Sequence, residues 1–183
     1  MYYDIEIAGL KRQLPLCKVT ANVMIGAFIM FGDTEITTTA ATALLKRAPE
    51  FDVILTAESK GIPLAYEMAR QSGNAKYIVA RKEPKLYNTE VISTEVDSIT
   101  TSHMQTLYLG KTERELMEGK KVLIVDDVIS TGGSLLSLEK LVNIIGAEIA
   151  GRMTVLAEGD AVNRDDIVFL QKLPLFNEDG SIK

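Results

Sequence analysis

Short, continuously apolar runs alternate with amphipathic stretches along most of the chain. The run "FDVILTA" at 51–57 has no polar face, the pattern of a strand covered on both sides. "KYIVA" at 76–80 and "KVLIVDD" at 121–127 read the same way, and "AGRMTVLAEG" at 150–159 and "DIVFLQK" at 166–172 add two further strands. Residues 23–31 read as a strand or a strand pair. Between these runs lie helical stretches. Residues 34–48 carry Ala40, Ala41, Ala43, Leu44 and Leu45 on an apolar face behind Asp33, a suitable N-cap. Residues 62–71 hold Pro63 in the first turn, where proline is tolerated. Residues 133–145 place Leu135, Leu138, Leu141, Val142 and Ile145 on one side.

One segment breaks the pattern. From Arg81 to about Lys111 the chain is polar and rich in Thr and Ser, with alternation in "TEVISTEV" and "MQTLYLG". This predicts an antiparallel excursion or a mobile loop outside the core. Strands alternating with helices give an α/β class with a five- or six-stranded, mainly parallel twisted sheet and helices on both faces. No repeat, low-complexity segment or linker interrupts it, so a single domain over 1–183 is expected.

Composition narrows this little. Apolar residues make up 46% and charged residues 25%, an ordinary globular balance. The formal net charge of −5 argues against nucleic acid or an anionic membrane as a partner held by bulk charge. One cysteine, Cys17, excludes an internal disulfide, and one histidine, His103, excludes a His-rich metal site. The start has acids early and no long apolar run, so no signal peptide, no membrane span and a cytoplasmic home are expected.

Chemistry concentrates at three strand ends, where open α/β sheets bind ligands. They read "TAESKG", "VARKEPK" and "IVDDVISTGGS". In the last, the loop after Asp127 leads into a helix, so its amides and the helix N-terminus favour an anion. Ser130, Thr131 and Ser134 add hydroxyls around Gly132 and Gly133. The lysine of a Walker A loop is missing: "GKT" occurs at 110–112, but position 105 is Gln where that motif needs glycine. A phosphomonoester is the expected ligand. Asp126 and Asp127 cannot hold it; adjacent carboxylates suit sugar hydroxyls, a metal or a cationic centre. These demands meet in 5-phosphoribosyl 1-pyrophosphate, whose substitution passes through an oxocarbenium-like state that carboxylates stabilise.

"VLIVDDVISTGGS" resembles the signature of the type I phosphoribosyltransferases. The resemblance extends over most of the chain. It implies ribose contacts and magnesium, held through water, at Asp126 and Asp127. It implies 5'-phosphate binding at Ser130, Thr131, Gly132, Gly133 and Ser134. "AESKG" is similar to the family's pyrophosphate loop, implying Glu58, Ser59, Lys60 and Gly61 for diphosphate, and "ARKEPK" implies Arg81, Lys82 and Lys85 as its counter-charges. The Thr- and Ser-rich excursion resembles the flexible loop, about 83–111, that closes over the centre; Glu90, Glu95, Asp97, His103 and Lys111 are its ionisable candidates. A small hood is expected over about 14–32, with Phe28, Ile29 and Met30 against the base, and a homodimer is implied.

For the acceptor, Glu158 stands near a point where oxopurine-binding members often place a lysine. A carboxylate accepts from an exocyclic amine and repels an oxo group, which tilts the expectation to adenine and to adenine phosphoribosyltransferase-like members. "KGIPLA" and "RKEPK" also resemble orotate enzymes, but "LYNTEV" lacks the His and Gly cluster expected there. "TAESKGIPLAYEMAR" resembles the domain of a purine operon repressor that senses the ribosyl donor without catalysis and carries a DNA-binding winged helix ahead of it; room for such a module is not expected here.

Overall fold

The computed structural model describes residues 1–74, 76–84, 90–96 and 105–183. The chain opens with an antiparallel sheet that the hydrophobic pattern did not predict. β1 (Tyr2–Ile7) and β2 (Leu10–Thr20) form a hairpin, and β3 (Val23–Gly26) pairs with the far side of β2. The expected strand at 23–31 therefore ends early. Its ladder stops where Ala27 N donates to Pro15 O at 2.9 Å, because Pro15 has no amide to return. Beyond it Phe28 and Met30 turn into the core while Ile29 and Phe31 face outward.

Helix α1 (Thr34–Leu45) starts where Asp33 accepts from Ile36 N at 3.0 Å, a side-chain N-cap. Arg12 of β2 clasps the same carboxylate, Nε to Oδ2 at 2.7 Å, and so joins the first sheet to α1. The chain then runs through β4 (Val53–Ala57), α2 (Ile62–Ser72), β5 (Ile78–Ala80), β6 (Ile92–Val96), β7 (Gln105–Leu109), α3 (Lys111–Met117), β8 (Lys121–Ile129), α4 (Gly133–Ile145), β9 (Glu148–Glu158), β10 (Val168–Leu173) and β11 (Leu175–Phe176), of which α3 and β11 were not expected. A 3₁₀ turn, Gly159–Asn163, links β9 to β10.

Five strands form the central parallel sheet in the order β10-β9-β8-β4-β5. Side chains alternate across it. Ile54, Leu123 and Val125 join the core under α1 and α2, whereas Val53, Leu55, Val122 and Ile124 join the core under α4. β11 returns to pair with β3, and Phe176 meets Tyr3 edge to face with centroids 4.9 Å apart. Chain start and chain end thus share one small four-stranded sheet beside the main one. Among the described residues, no helix is long and apolar enough to cross a membrane.

Two expectations are corrected. The 81–111 excursion does form an antiparallel pair, β6 with β7, but it is not outside the core. Leu107 and Leu109 are fully buried with the α4 core, and Thr94 Oγ1 donates to Ser137 O of α4 at 3.3 Å. Strand β8 also does not stop at Asp127. It runs on to Ile129 because Val128 and Ile129 keep register with Leu156 and Ala157 of the long β9.

If the β6–β7 pair is integral to the core, Leu107→Ala costs about 2–4 kcal/mol in equilibrium denaturation. A loss under about 0.5 kcal/mol marks it as a detached excursion.

Candidate functional site

The carboxyl ends of β4, β8 and β9 open together into a cavity of about 400 Å³, walled on the other side by residues 25–29 and by Leu173. The sheet order explains the convergence: β9, β8, β4 and β5 are consecutive neighbours, and Lys82 from the turn after β5 lines the same cavity. The three strand-end sequences thus become one site.

Asp126 and Asp127 sit near the end of β8, and both line the cavity. Asp127 is 4% exposed, and its Oδ2 has no hydrogen-bond partner. Its nearest cation is Lys60, with Nζ 3.9 Å from Oδ2. Asp126 Oδ1 accepts the Asp127 amide at 2.9 Å. Burial raises the pKa of both carboxyls; the neighbouring Asp127 charge pushes Asp126 further up, while Lys60 draws both back. The protein therefore keeps a close carboxyl pair that is short of positive charge.

The loop after β4 is fitted tightly beneath this pair. A Cβ on Gly61 would lie 2.4 Å from Thr56 Oγ1 and 2.8 Å from Asp126 Oδ1, so only glycine lets the backbone pass. Glu58, Ser59 and Lys60 line the cavity, and the Glu58–Ser59 peptide is cis. Glu58 faces the next strand end. It accepts Lys82 N at 3.0 Å and meets Arg81 Nη1 at 3.4 Å. Its carboxylate thus binds the two strand-end loops to each other. Lys82 lines the cavity, whereas the Arg81 guanidinium is turned to Glu58.

On the far side of the carboxyls, Ser130–Gly132 turns from β8 into α4. Gly132 has φ +80°, a left-handed conformation that favours glycine. Residues 128–135 and Asp126 wrap a recess of about 60 Å³ at the start of α4, where no side chain caps the helix. Backbone amides, the helix dipole and the hydroxyls of Ser130, Thr131 and Ser134 there suit an anion.

The remaining wall is mostly apolar. Phe28 and Ile29 line the cavity together with Ile25 and Leu173, which the motif reading missed because apolar residues carry no chemical signature. Met30 does not line it: at 1% exposure it is part of the core under α1. Glu158, at the end of β9, lines the same wall, and burial raises its pKa. Of the loop candidates, Glu90 pairs with Lys111 at 2.7 Å at the base of the hairpin. Lys85, Asp97 and His103 lie outside the described residues, as does the Glu95 side chain. Among the described residues, no three His, Cys, Asp or Glu side chains converge on one point.

Comparison with known proteins matches residues 34–179 to the model of the phosphoribosyl transferase domain. The purine biosynthesis transcriptional repressor PurR of Bacillus subtilis (strain 168) is 33% identical over 131 residues, 70% of this chain and 45% of the repressor. A hypoxanthine/guanine phosphoribosyltransferase of Methanosarcina mazei is 38% identical over 109 residues, 60% of this chain and 53% of that protein. The chain thus spans about half the length of these curated relatives. In fold, it is similar to the crystal structure of an adenine phosphoribosyltransferase from Rhodothermus marinus, with a TM-score of 0.66, 20% identity and 94% of each chain covered.

Two outcomes follow from the geometry. Gly61→Ala destabilises the protein by about 1–3 kcal/mol, the range for overpacking, as read by chemical denaturation. Asp126→Asn keeps the acceptor for the Asp127 amide and removes a charge. A raised carboxyl pKa in the folded state means that Asp126 costs stability as pH rises through that pKa. The variant is therefore more stable than wild type by about 0.5–2 kcal/mol at pH 7. The gain shrinks towards about pH 4, where Asp126 of the folded wild type carries its proton and the charge penalty is gone. Urea denaturation at both pH values checks it; a gain that grows on acidification contradicts the assignment.

Proposed function

The chain belongs to the phosphoribosyl transferase family, and from that premise we propose that it moves a 5-phosphoribosyl group from 5-phosphoribosyl 1-pyrophosphate to a purine base, with adenine the acceptor its cavity suits best. The observation that carries this reading is the placement of the carboxyl pair. Asp126 and Asp127 lie between an anion recess at α4 and two loops presenting Lys60 and Lys82, all around one cavity.

In this reading Ser130–Ser134 hold the 5'-phosphate on hydroxyls and backbone amides. Asp126 and Asp127 face the ribose hydroxyls. As the bond from C1 to the diphosphate oxygen breaks, the ring gains positive charge, and the bond from C1 to the base nitrogen forms on the opposite side. The carboxylates stabilise that charge without having to reorganise. Ser59, Lys60 and Lys82 receive the departing diphosphate, and Arg81 joins them by leaving Glu58. Ile25, Phe28, Ile29 and Leu173 clasp the base and exclude the water that would hydrolyse the activated ribose. The four-stranded sheet serves as the hood of one domain spanning 1–183.

Magnesium fits this donor set as a passenger of the ligand. The described residues offer no three-ligand cage. Asp127 Oδ2 is buried without a hydrogen-bond partner. One or two carboxylates plus phosphate oxygens and waters is the usual setting for this ion. Asp126 and Asp127 would hold it through water, and when bound it neutralises diphosphate charge.

The adenine preference rests on Glu158, whose carboxylate accepts from an exocyclic amine. Hypoxanthine or guanine is the second reading. It is favoured by the sequence relative from Methanosarcina mazei. A non-catalytic sensor of the donor is a third, from the likeness to PurR.

One assay separates these readings: donor, magnesium and each of adenine, guanine, hypoxanthine, xanthine and orotate, with diphosphate release measured. Turnover is expected with adenine above the others. Donor binding without turnover on any base overturns the enzyme reading. Asp127→Asn lowers turnover by about 10²-fold or more at native stability, the scale of losing one electrostatic contact in the transition state.

A further inference from the structure

The recess at α4 has an unusual charge balance for a phosphate site. Among the described residues, its lining contains one carboxylate, Asp126, and no cation. Lys60 and Lys82 line the main cavity and are absent from the recess. A phosphomonoester carries close to two negative charges at neutral pH. Amides and hydroxyls alone would have to hold it beside a carboxyl.

A guanidinium lies just behind the turn. A Cβ on Gly132 would sit 3.5 Å from Arg164 Nη1. Arg164 follows the 3₁₀ turn between β9 and β10, so its side chain reaches across to the loop that opens α4. Its other edge is engaged. Nε and Nη2 hold Asp166 in a fork at 2.8 and 2.7 Å, and Nη2 lies 3.8 Å from Glu139 of α4. Glu139 also pairs with Arg152 of β9, which lies 3.5 Å from Asp166. Two arginines and two carboxylates thus form a closed network that aims the Nη1 edge at Gly132.

We propose that Arg164 is a phosphate-binding residue of this site: its Nη1 edge supplies, from behind the Gly132 turn, the positive charge that the recess lacks. The inference rests on the phosphate assignment above. Glycine at 132 answers to its left-handed φ; a Cβ there would stand in ordinary contact with the guanidinium. Asp166 sets the strength of this charge. Its fork fixes the guanidinium but also neutralises it, so removing the carboxylate frees charge for the phosphate.

The test is calorimetric titration of the whole chain with ribose 5-phosphate and, separately, with magnesium pyrophosphate. Arg164→Gln is expected to weaken ribose 5-phosphate about tenfold, in the range for a charge-assisted contact, and to leave pyrophosphate unchanged. Asp166→Asn is expected to bind ribose 5-phosphate at least as tightly as wild type. A merely structural network predicts the reverse for Asp166→Asn: a weakening parallel to that of Arg164→Gln. That parallel loss overturns the proposal, as does Arg164→Gln binding ribose 5-phosphate like wild type. Should Arg164→Gln not fold, Arg164→Lys, which keeps the charge, and Asp166→Asn carry the same test, with an intermediate loss expected for the lysine. Wild type that binds magnesium pyrophosphate but not ribose 5-phosphate removes the phosphate assignment itself, and this inference with it.

Discussion

Two neighbouring carboxyls held at the end of a buried parallel strand are the constraint around which the rest is arranged. Strand geometry sends successive side chains to opposite faces. Here Asp126 and Asp127 nonetheless line one cavity, and the Asp127 amide bonds to Asp126 Oδ1. Such a pair repels itself and is short of water, so its folded state favours retained protons. The surroundings confine it without neutralising it. The β4 loop passes beneath through Gly61, the single ammonium of Lys60 stands 3.9 Å away, and β9 locks the strand in register on the other side. A ligand that brings a cation or develops positive charge relieves this arrangement. The cost in the empty protein is the counterpart of affinity for the reacting state.

Much of this was legible in the sequence because its causes are local. A strand buried on both faces must be apolar throughout, so β4, β5, β8, β9 and β10 are visible as runs. Helix α1 is visible through Asp33 and its alanine face, and the α4 turn through Gly132 and Gly133. The small sheet was not legible. Its strands β1 and β2 are half exposed, and what closes them is Phe176, over 150 residues away in the chain. Pairing at that separation leaves no local signature. The burial of Leu107 and Leu109 stayed hidden for the same reason, since polar neighbours mask a strand whose partner is a distant helix.

The site divides along the same line. Charged and glycine positions announced themselves at the strand ends, and the structure gathers Glu58, Ser59, Lys60, Lys82, Asp126, Asp127, Ser130, Ser134 and Glu158 around one cavity. Composition could not tell which cations face in. Lys82 does, while Arg81 is held by Glu58. Nor could it tell which of Phe28, Ile29 and Met30 face the cavity. Met30 packs into the core under α1, while Phe28 and Ile29 line the cavity. Acceptor choice is the least local property of all. It hangs on one buried carboxyl, Glu158, whose protonated and ionised forms favour different bases.

The central claim is that the Asp126–Asp127 pair is held short of counter-charge until ligand arrives. A pH titration of the carboxyl ¹³C resonances, free and saturated with magnesium pyrophosphate and ribose 5-phosphate, tests it most directly. The account predicts that in the free protein at least one of the two titrates well above the ordinary aspartate value of 3.8. It also predicts that both are ionised at that pH once ligand is bound. Two carboxyls that titrate in the ordinary aspartate range in the free protein would contradict it.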